Sequence, residues 1–372
     1  MKATAYLKKV GVACGVIFTT AAIGDHNPYR LGLPPVLSPT DNPITRPKVE
    51  LGKRLFFDRR LSGDGSISCA SCHQPERAFS DGLRTSIGIG GQSGTRNAPS
   101  LLNASLLAAQ FWDGRRSTLE AQALDPFTNP KEHGLSSSSE LIRKIQEDPE
   151  YIRLFNDAFG NESDSISEAH IAKAIASFER TITGQSSAFD RYYYGGDQAA
   201  LSPAARRGLA VFSGRAQCSS CHSINKASAS FSDGEFHSLH VGLNRIEKRL
   251  PGITTKAIAA SKDRRSVDAI AISDEEISEL GRFFITLDPT DIGKFRTPSL
   301  RNVALTAPYM HDGSVSTLEQ AVDHEIYYRS AESGRPLILT PDEKADLIEF
   351  LRSLNADPPS DLGKREVPSR PS

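Results

Sequence analysis

Apolar residues recur every three or four positions in several long stretches of this chain, the spacing that lays an apolar stripe along a helix. Over 140–159 the stripe is Leu141, Ile142, Ile145, Tyr151 and Leu154; over 168–183 it is Ile171, Ile175, Phe178 and Ile182. Ser202 followed by Pro203 opens a third helix, reaching 212. The hydroxyl serves as N-cap, and the proline takes the first helical position, where its missing N–H is not needed. A fourth helix is expected over 317–328. A fifth runs over 341–354, opened by a capping box of Thr340 and Glu343. Alternating apolar and polar runs, the mark of half-buried strands, are scarce. The pattern predicts a mainly α-helical protein with long loops.

The first 24 residues follow another rule. Lys2, Lys8 and Lys9 flank the start of an apolar run from Val10 to Ile23 that is too short to cross a bilayer. Small residues at Ala21, Ala22 and Gly24 follow, so 1–24 reads as a signal peptide, cleaved near Ala22 or Gly24. An uncleaved anchor is the alternative. Cys14 has too little apolar sequence before it for a lipoprotein site. The Pro- and Ser-rich stretch 358–372 reads as a loose tail.

The 372 residues are 38% hydrophobic and 24% charged with net charge −1, enough apolar content for one large or two medium domains. The balance offers no basic face of the kind nucleic acid requires.

Four of the five cysteines fall in two motifs, Cys69-Ala-Ser-Cys72-His73 and Cys218-Ser-Ser-Cys221-His222. Cys-x-x-Cys-His is the attachment sequence of c-type haem: two thiols bond the porphyrin, and the adjacent histidine ligates iron. A thioredoxin-like pair has no use for the histidine. A zinc site would bring its cysteine pairs within about 15–20 residues of each other. Disulfides closed inside Cys-x-x-Cys would be strained. Two covalently bound haems follow. Each motif is preceded by a similar segment, Gly52-x-x-Leu55-Phe56 and Gly208-x-x-Val211-Phe212, expected on a helix packed near a haem edge. The chain thus divides into an N-terminal haem domain, 25–190, and a C-terminal haem domain, 191–357. They meet around 185–199, where Tyr192, Tyr193 and Tyr194 precede a linker-like Gly195-Gly196.

Further stretches carry a resemblance: Gly52-Lys-Arg-Leu-Phe-Phe-Asp58, Asp81-Gly82, Ser86-Ile-Gly88, Arg96-Asn97, Gln110-Phe-Trp-Asp-Gly-Arg115, Asn129-Pro-Lys-Glu132 and the block from Thr297 to Gly313. Together, over roughly 45–355, these resemble the bacterial di-haem cytochrome c peroxidase/MauG family. The resemblance implies two c-type cytochrome-like domains with one haem each, and a periplasmic location. Glu132 would lie over the open face of the His73 haem, where splitting peroxide needs a group to move a proton between the two oxygens. Trp112, the only tryptophan, would relay electrons between the haems. Gln122 and Pro126 would line the peroxide pocket. One calcium would sit between the haems, held by the Asn97 side chain and the carbonyls of Thr306 and Pro308; oxygen donors suit that ion. Relatives often form homodimers, though no interface signature is visible here.

Two departures stand out. Where many relatives carry a histidine that caps the peroxide haem, this chain has Ile89, which cannot bind iron. The second haem lacks the usual methionine, because the only methionines are Met1 and Met310. Ungapped matching puts Glu325 at that position. Tyr328 or Tyr327 is the better ligand by chemistry, then His324, then Glu325. His311 is expected near that haem, whereas His237, His240, His133 and His170 carry no assigned role. The segment 243–276, charged and without motif, reads as a partner-facing insertion. Three functions remain open. One is a peroxidase that reduces hydrogen peroxide with electrons from a small periplasmic donor, a c-type cytochrome or copper protein. Another is a MauG-like enzyme that uses peroxide to oxidise a Trp or Tyr of a protein substrate. The last is a non-enzymatic electron carrier.

Overall fold

The computed structural model describes residues 31–356, apart from 161–165, 185, 263 and 334–335. The signal peptide expected at 1–24 and the tail at 358–372 lie outside the described residues. The main helices are α1 Arg46–Phe57, α2 Ser138–Gln146, α3 Pro149–Phe159, α4 Glu168–Glu179, α5 Ala188–Tyr193, α6 Pro203–Ser213, α7 Leu250–Ala260, α8 Arg264–Ser273, α9 Leu318–Ser333 and α10 Pro341–Arg352. Among the described residues, extended pairing is confined to short bridges and one two-residue pair, β1 Phe236–His237 antiparallel to β2 Phe295–Arg296. The chain is mainly helical, with two cytochrome-like domains. Among the described residues no helix is long and apolar enough to cross a membrane.

The caps read from sequence are present: Ser202 accepts from Ala205 N with Pro203 in the first turn, and Thr340 and Glu343 cap one another. The single helix expected over 140–159 is two, α2 and α3. Asp148 between them is extended, because Pro149 disfavours helical geometry in the residue before it. Within 185–199, where the two domains are expected to meet, Ala188–Tyr193 form α5, capped by Ser187 and Asp190, with Phe189 and Asp190 fully buried. The 190/191 position falls inside that helix.

The repeated Gly-x-x-apolar-Phe pattern marks two equivalent helix pairs. α1 crosses α4 at Gly52, where an added Cβ would lie 2.0 Å from the Ala174 carbonyl; α6 crosses α10 at Gly208, with 1.9 Å to the Asp346 carbonyl. Glycine is needed at both because the backbones touch. Beside each crossing a phenylalanine pair closes the contact, Phe56–Phe178 at 5.2 Å and Phe212–Phe350 at 5.0 Å between ring centroids. Around the first pair gather Leu51, Leu55, Phe127, Phe155 and Ile175; around the second, Phe189, Phe231, Leu347 and Leu354.

The segment 243–276, expected as a partner-facing insertion, is largely helical and carries buried residues. α7 and α8 bury Ile253, Ala257, Ala271 and Ile272 and form a third core with Leu280 and Phe284. The sequence reading missed these helices because their short apolar runs are interrupted by charge.

Candidate functional site

Each Cys-x-x-Cys-His motif begins a short helical turn at the foot of a helix pair. The four cysteines are free of disulfides. His73 Nδ1 donates to the Phe79 carbonyl at 3.1 Å, and His222 Nδ1 donates to the Phe231 carbonyl at 2.9 Å. Both acceptors are fully buried phenylalanines in the left-handed region, φ 58° and 51°. Two serine hydroxyls brace the same turns: Ser100 donates to Ala78 O, and Ser299 to Ser230 O. With Nδ1 committed, Nε2 is the unprotonated nitrogen on each ring, the tautomer a metal requires. Burial lowers both histidine pKa values and keeps the rings neutral. Cys69, Cys72, His73 and Glu132 are closely surrounded by protein yet each retains accessible surface. These residues fit covalently attached haem.

A cavity of about 250 Å³ adjoins the second motif. Cys218, Cys221 and His222 line it, with Trp112, His311 and Glu325. Asn97, Thr306 and Pro308, the three residues expected to hold calcium, all border the same cavity. Asn97 Nδ2 donates to the Leu83 carbonyl at 2.8 Å, which leaves Oδ1 as the side-chain oxygen open to a cation. Trp112 Nε1 donates to the Asn97 carbonyl at 2.9 Å, and Asn97 N donates to the His311 carbonyl at 2.9 Å. Asn97 thus ties the tryptophan turn of one half to the histidine turn of the other.

The candidates for the far side of the second haem divide. Tyr327 is 70% exposed. Tyr328 stacks on His240 at 5.3 Å, and His324 Nε2 pairs with the Leu239 carbonyl at 2.9 Å. None of the three lines the cavity. Glu325 does, and its charge helps raise the nearby Cys218 thiol, which burial drives up to about 12. His311 lines the cavity as expected, stacked on Phe295 at 3.6 Å and paired with Glu279 at 2.9 Å. His237, which has no role assigned from sequence, lines it too and pairs with Asp233 at 2.8 Å.

At the first site, Glu132 sits on a loop held from two sides. Ile89 N donates to the Glu132 carbonyl at 2.9 Å. Gly88 presses so close that a Cβ there would lie 1.9 Å from Lys131 O. The Ile89 side chain packs on Gly63 and Gly134. Burial pushes Glu132 up to about 7; Arg115 opposes the rise and Asp125 adds to it. Arg115 is itself fixed by Asp113, two contacts at 3.0 Å, and lies 3.3 Å over the Phe111 ring. Gln122 ends a short helical turn capped by Thr118, and Pro126 opens the next. His133, which has no role assigned from sequence, is buried with neither ring nitrogen paired, its ring 4.8 Å from Phe127; burial lowers it to about 4, so it is neutral. An imidazole following the motif glutamate was the only available signal.

Comparison with known proteins agrees with this geometry. A family model described as di-haem cytochrome c peroxidase matches residues 46–199. Cytochrome-c peroxidase IdrP1 of Pseudomonas sp. (strain SCT) is 35% identical over 366 residues, 92% of this chain and 90% of that protein. Methylamine utilization protein MauG of Methylorubrum extorquens is 35% identical over 331 residues, 86% of this chain and 81% of that one. Among solved structures, a MauG-like protein associated with microbial copper homeostasis superposes with TM-score 0.73 at 36% identity, covering 90% of this chain and 97% of that chain.

Proposed function

The chain belongs to the di-haem cytochrome c peroxidase family, and from that premise we propose that it reduces hydrogen peroxide at the His73 haem with electrons from a small periplasmic donor. Cys69 and Cys72 would hold the first haem with His73 on its iron; Cys218 and Cys221 would hold the second with His222. When bound, the haems supply iron redox chemistry toward peroxide and a path for electrons. The protein's own part is proton handling, spacing and exclusion of rival ligands.

The observation that carries the reading is Glu132, a buried carboxyl with a pKa of about 7 beside the first haem-binding motif. A group poised near neutrality can take the proton from one peroxide oxygen and return it to the leaving one. Ile89 offers no atom to iron, so peroxide would meet an open face without prior reduction. Trp112, hydrogen-bonded to Asn97 and lining the second cavity, would carry electrons between the haems. Asn97 Oδ1 and the carbonyls of Thr306 and Pro308 would hold calcium. On the far side of the second haem Glu325, last of four by ligand chemistry, becomes the first candidate because it alone among them lines the cavity.

A MauG-like oxidation of a partner's Trp or Tyr is the second reading. Ile89 favours it, since an uncapped first haem can meet peroxide while both irons are oxidised. The test is peroxide titration of the ferric two-haem protein without reductant. A spectral change within mixing time is expected, slowed at least about 100-fold in Glu132→Gln. An unchanged rate in that variant removes Glu132 from the mechanism. Fast turnover with a reduced donor supports the peroxidase; slow turnover with a long-lived oxidised state supports protein oxidation.

A further inference from the structure

One carboxylate among the charged groups beside Glu132 comes from the segment 243–276, which is charged and without motif in the sequence. α8 lies against two loops of the first site. Thr95 N donates to Ile272 O at 3.2 Å, and Lys131 Nζ reaches Ser273 O at 3.4 Å. From the middle of α8, Asp268 reaches Arg115 Nε at 3.4 Å and Arg116 Nη2 at 2.5 Å. Arg116 also holds Asp125 at 2.8 Å. Arg115 and Asp125 are the charged groups that act on Glu132. The chain Asp113–Arg115–Asp268–Arg116–Asp125 is thus a lattice of alternating charge beside Glu132. Asp268 is its only member from outside 113–125.

We infer that Asp268 is a positioning residue for the peroxide reaction: it bridges Arg115 and Arg116, and so fixes the place and the net charge of the groups that face Glu132. This rests on the role given to Glu132 above. The geometry favours it over a surface ion pair, because the Arg115 and Arg116 side chains are only 5% and 12% exposed and Asp268 22%. A pair so enclosed is little screened. Removing the Asp268 charge leaves two guanidinium groups with one fewer counter-ion, so the field at Glu132 becomes more positive and its carboxylate form is favoured. The other titratable groups around Glu132 are Cys69 and Cys72 from the haem-binding turn and its neighbours Lys131 and His133. None of them touches Asp268.

The test uses the full chain with both haems in the ferric state, mixed with hydrogen peroxide over a range of pH. Asp268→Asn should slow the reaction on the order of tenfold, the scale expected when reacting groups are displaced by a fraction of an ångström. It should also move the acid limb of the rate to lower pH. Asp268→Glu should restore both, because it keeps the charge. Asp268→Ser gives a second charge-free variant should the asparagine form not fold, and melting is followed throughout. An asparagine or serine variant that melts early but keeps the native rate and acid limb makes Asp268 a mere strut and overturns the inference. So does a glutamate variant as slow as asparagine with an unmoved limb. Glu132→Gln is run alongside. If it reacts normally, the reading of Glu132 fails; if it is slow while Asp268→Asn is native in rate and limb, the inference alone fails.

Discussion

Residues 46–183 and 203–355 each hold a histidine by the same device. A glycine-centred helix crossing stands above a Cys-x-x-Cys-His turn, and the turn's imidazole is pinned by a buried phenylalanine carbonyl. Even the backbone kinks correspond: Asn103 and Asn302 are both left-handed, as are Phe111 and Met310. The halves part company in the residues that face the pinned histidines. In the first, the 129–134 loop presents Glu132, and a glycine-rich loop packs Ile89 against its backbone. In the second, α9 lays Glu325 along the cavity. The turn that holds Trp112 in the first half holds His311 in the second, and both meet Asn97. One scaffold thus presents two different sets of side chains, because the histidine side is fixed by the fold while the rest is written by loops and one helix.

The largest expected effect asks whether the halves are equally robust. Against the second packs α5, whose Asp190 forms a double contact with Arg301 at 2.8 and 2.9 Å, both side chains essentially unexposed. Arg301 also donates to the Gly32 and Ala229 carbonyls. Asp190→Asn leaves a buried guanidinium uncompensated and should cost about 3–5 kcal/mol in denaturant unfolding. The first half has Arg180 on Glu120, but Glu120 keeps 20% of its side-chain surface. Glu120→Gln should therefore cost visibly less, and equal losses would deny the difference in burial any weight.

Next comes pH. Glu132 is raised to about 7 by burial, so its carboxylate form is present above that pH and lost below it. The rate of peroxide reaction should hold above neutrality and fall about tenfold per pH unit beneath it, approaching 100-fold two units down. His133 at about 4 stays neutral across that range and contributes no limb. Stopped-flow rates at constant ionic strength check this, and Glu132→Gln should flatten the profile. An acid limb that persists in that variant belongs to another group.

A smaller effect probes the symmetry itself. Gly52→Ala and Gly208→Ala each drive a methyl to within about 2 Å of a backbone carbonyl. Overpacking costs about 1–3 kcal/mol, offset in part by about 1 kcal/mol of better helix propensity. Similar net losses are expected from unfolding curves, each variant disturbing the absorption of its own haem only. Coupled disturbance of both haems would mean the two crossings do not act as separate supports.

The shared frame was legible in the sequence because it rests on local signals: caps at Ser202 and Thr340, an apolar stripe in α4, two five-residue motifs and a repeated glycine. Residues that act through distant neighbours left no such mark. Asp268 sits among charges in α8, and nothing near it in sequence indicates Arg115, more than 150 positions earlier. His133 looked ordinary because burial, not its neighbours in sequence, leaves its nitrogens unpaired. The proline at 149 was visible, yet the apolar stripe ran past it and hid the break between α2 and α3.

Glu325 sharpens the contrast between the halves with the least disturbance to the fold. By ligand chemistry alone tyrosine or histidine outranks a carboxylate, but ligation also needs reach, and Tyr327 faces solvent while Tyr328 and His324 are engaged with His240 and Leu239 O. Replacing Glu325 with methionine places a thioether on α9, a helix that has none, across a cavity that Met310 also lines. Electron paramagnetic resonance and absorption should then report a methionine–histidine haem in the second half, with a raised reduction potential. The ferric reaction with peroxide at the first half should stay within about twofold, because Glu132 remains untouched. If Glu325→Met and Glu325→Gln both leave the second haem's spectrum native while Tyr328→Phe alters it, α9 must rotate to bring tyrosine over the cavity. The second half would then be set by a tyrosine oxygen rather than a carboxylate.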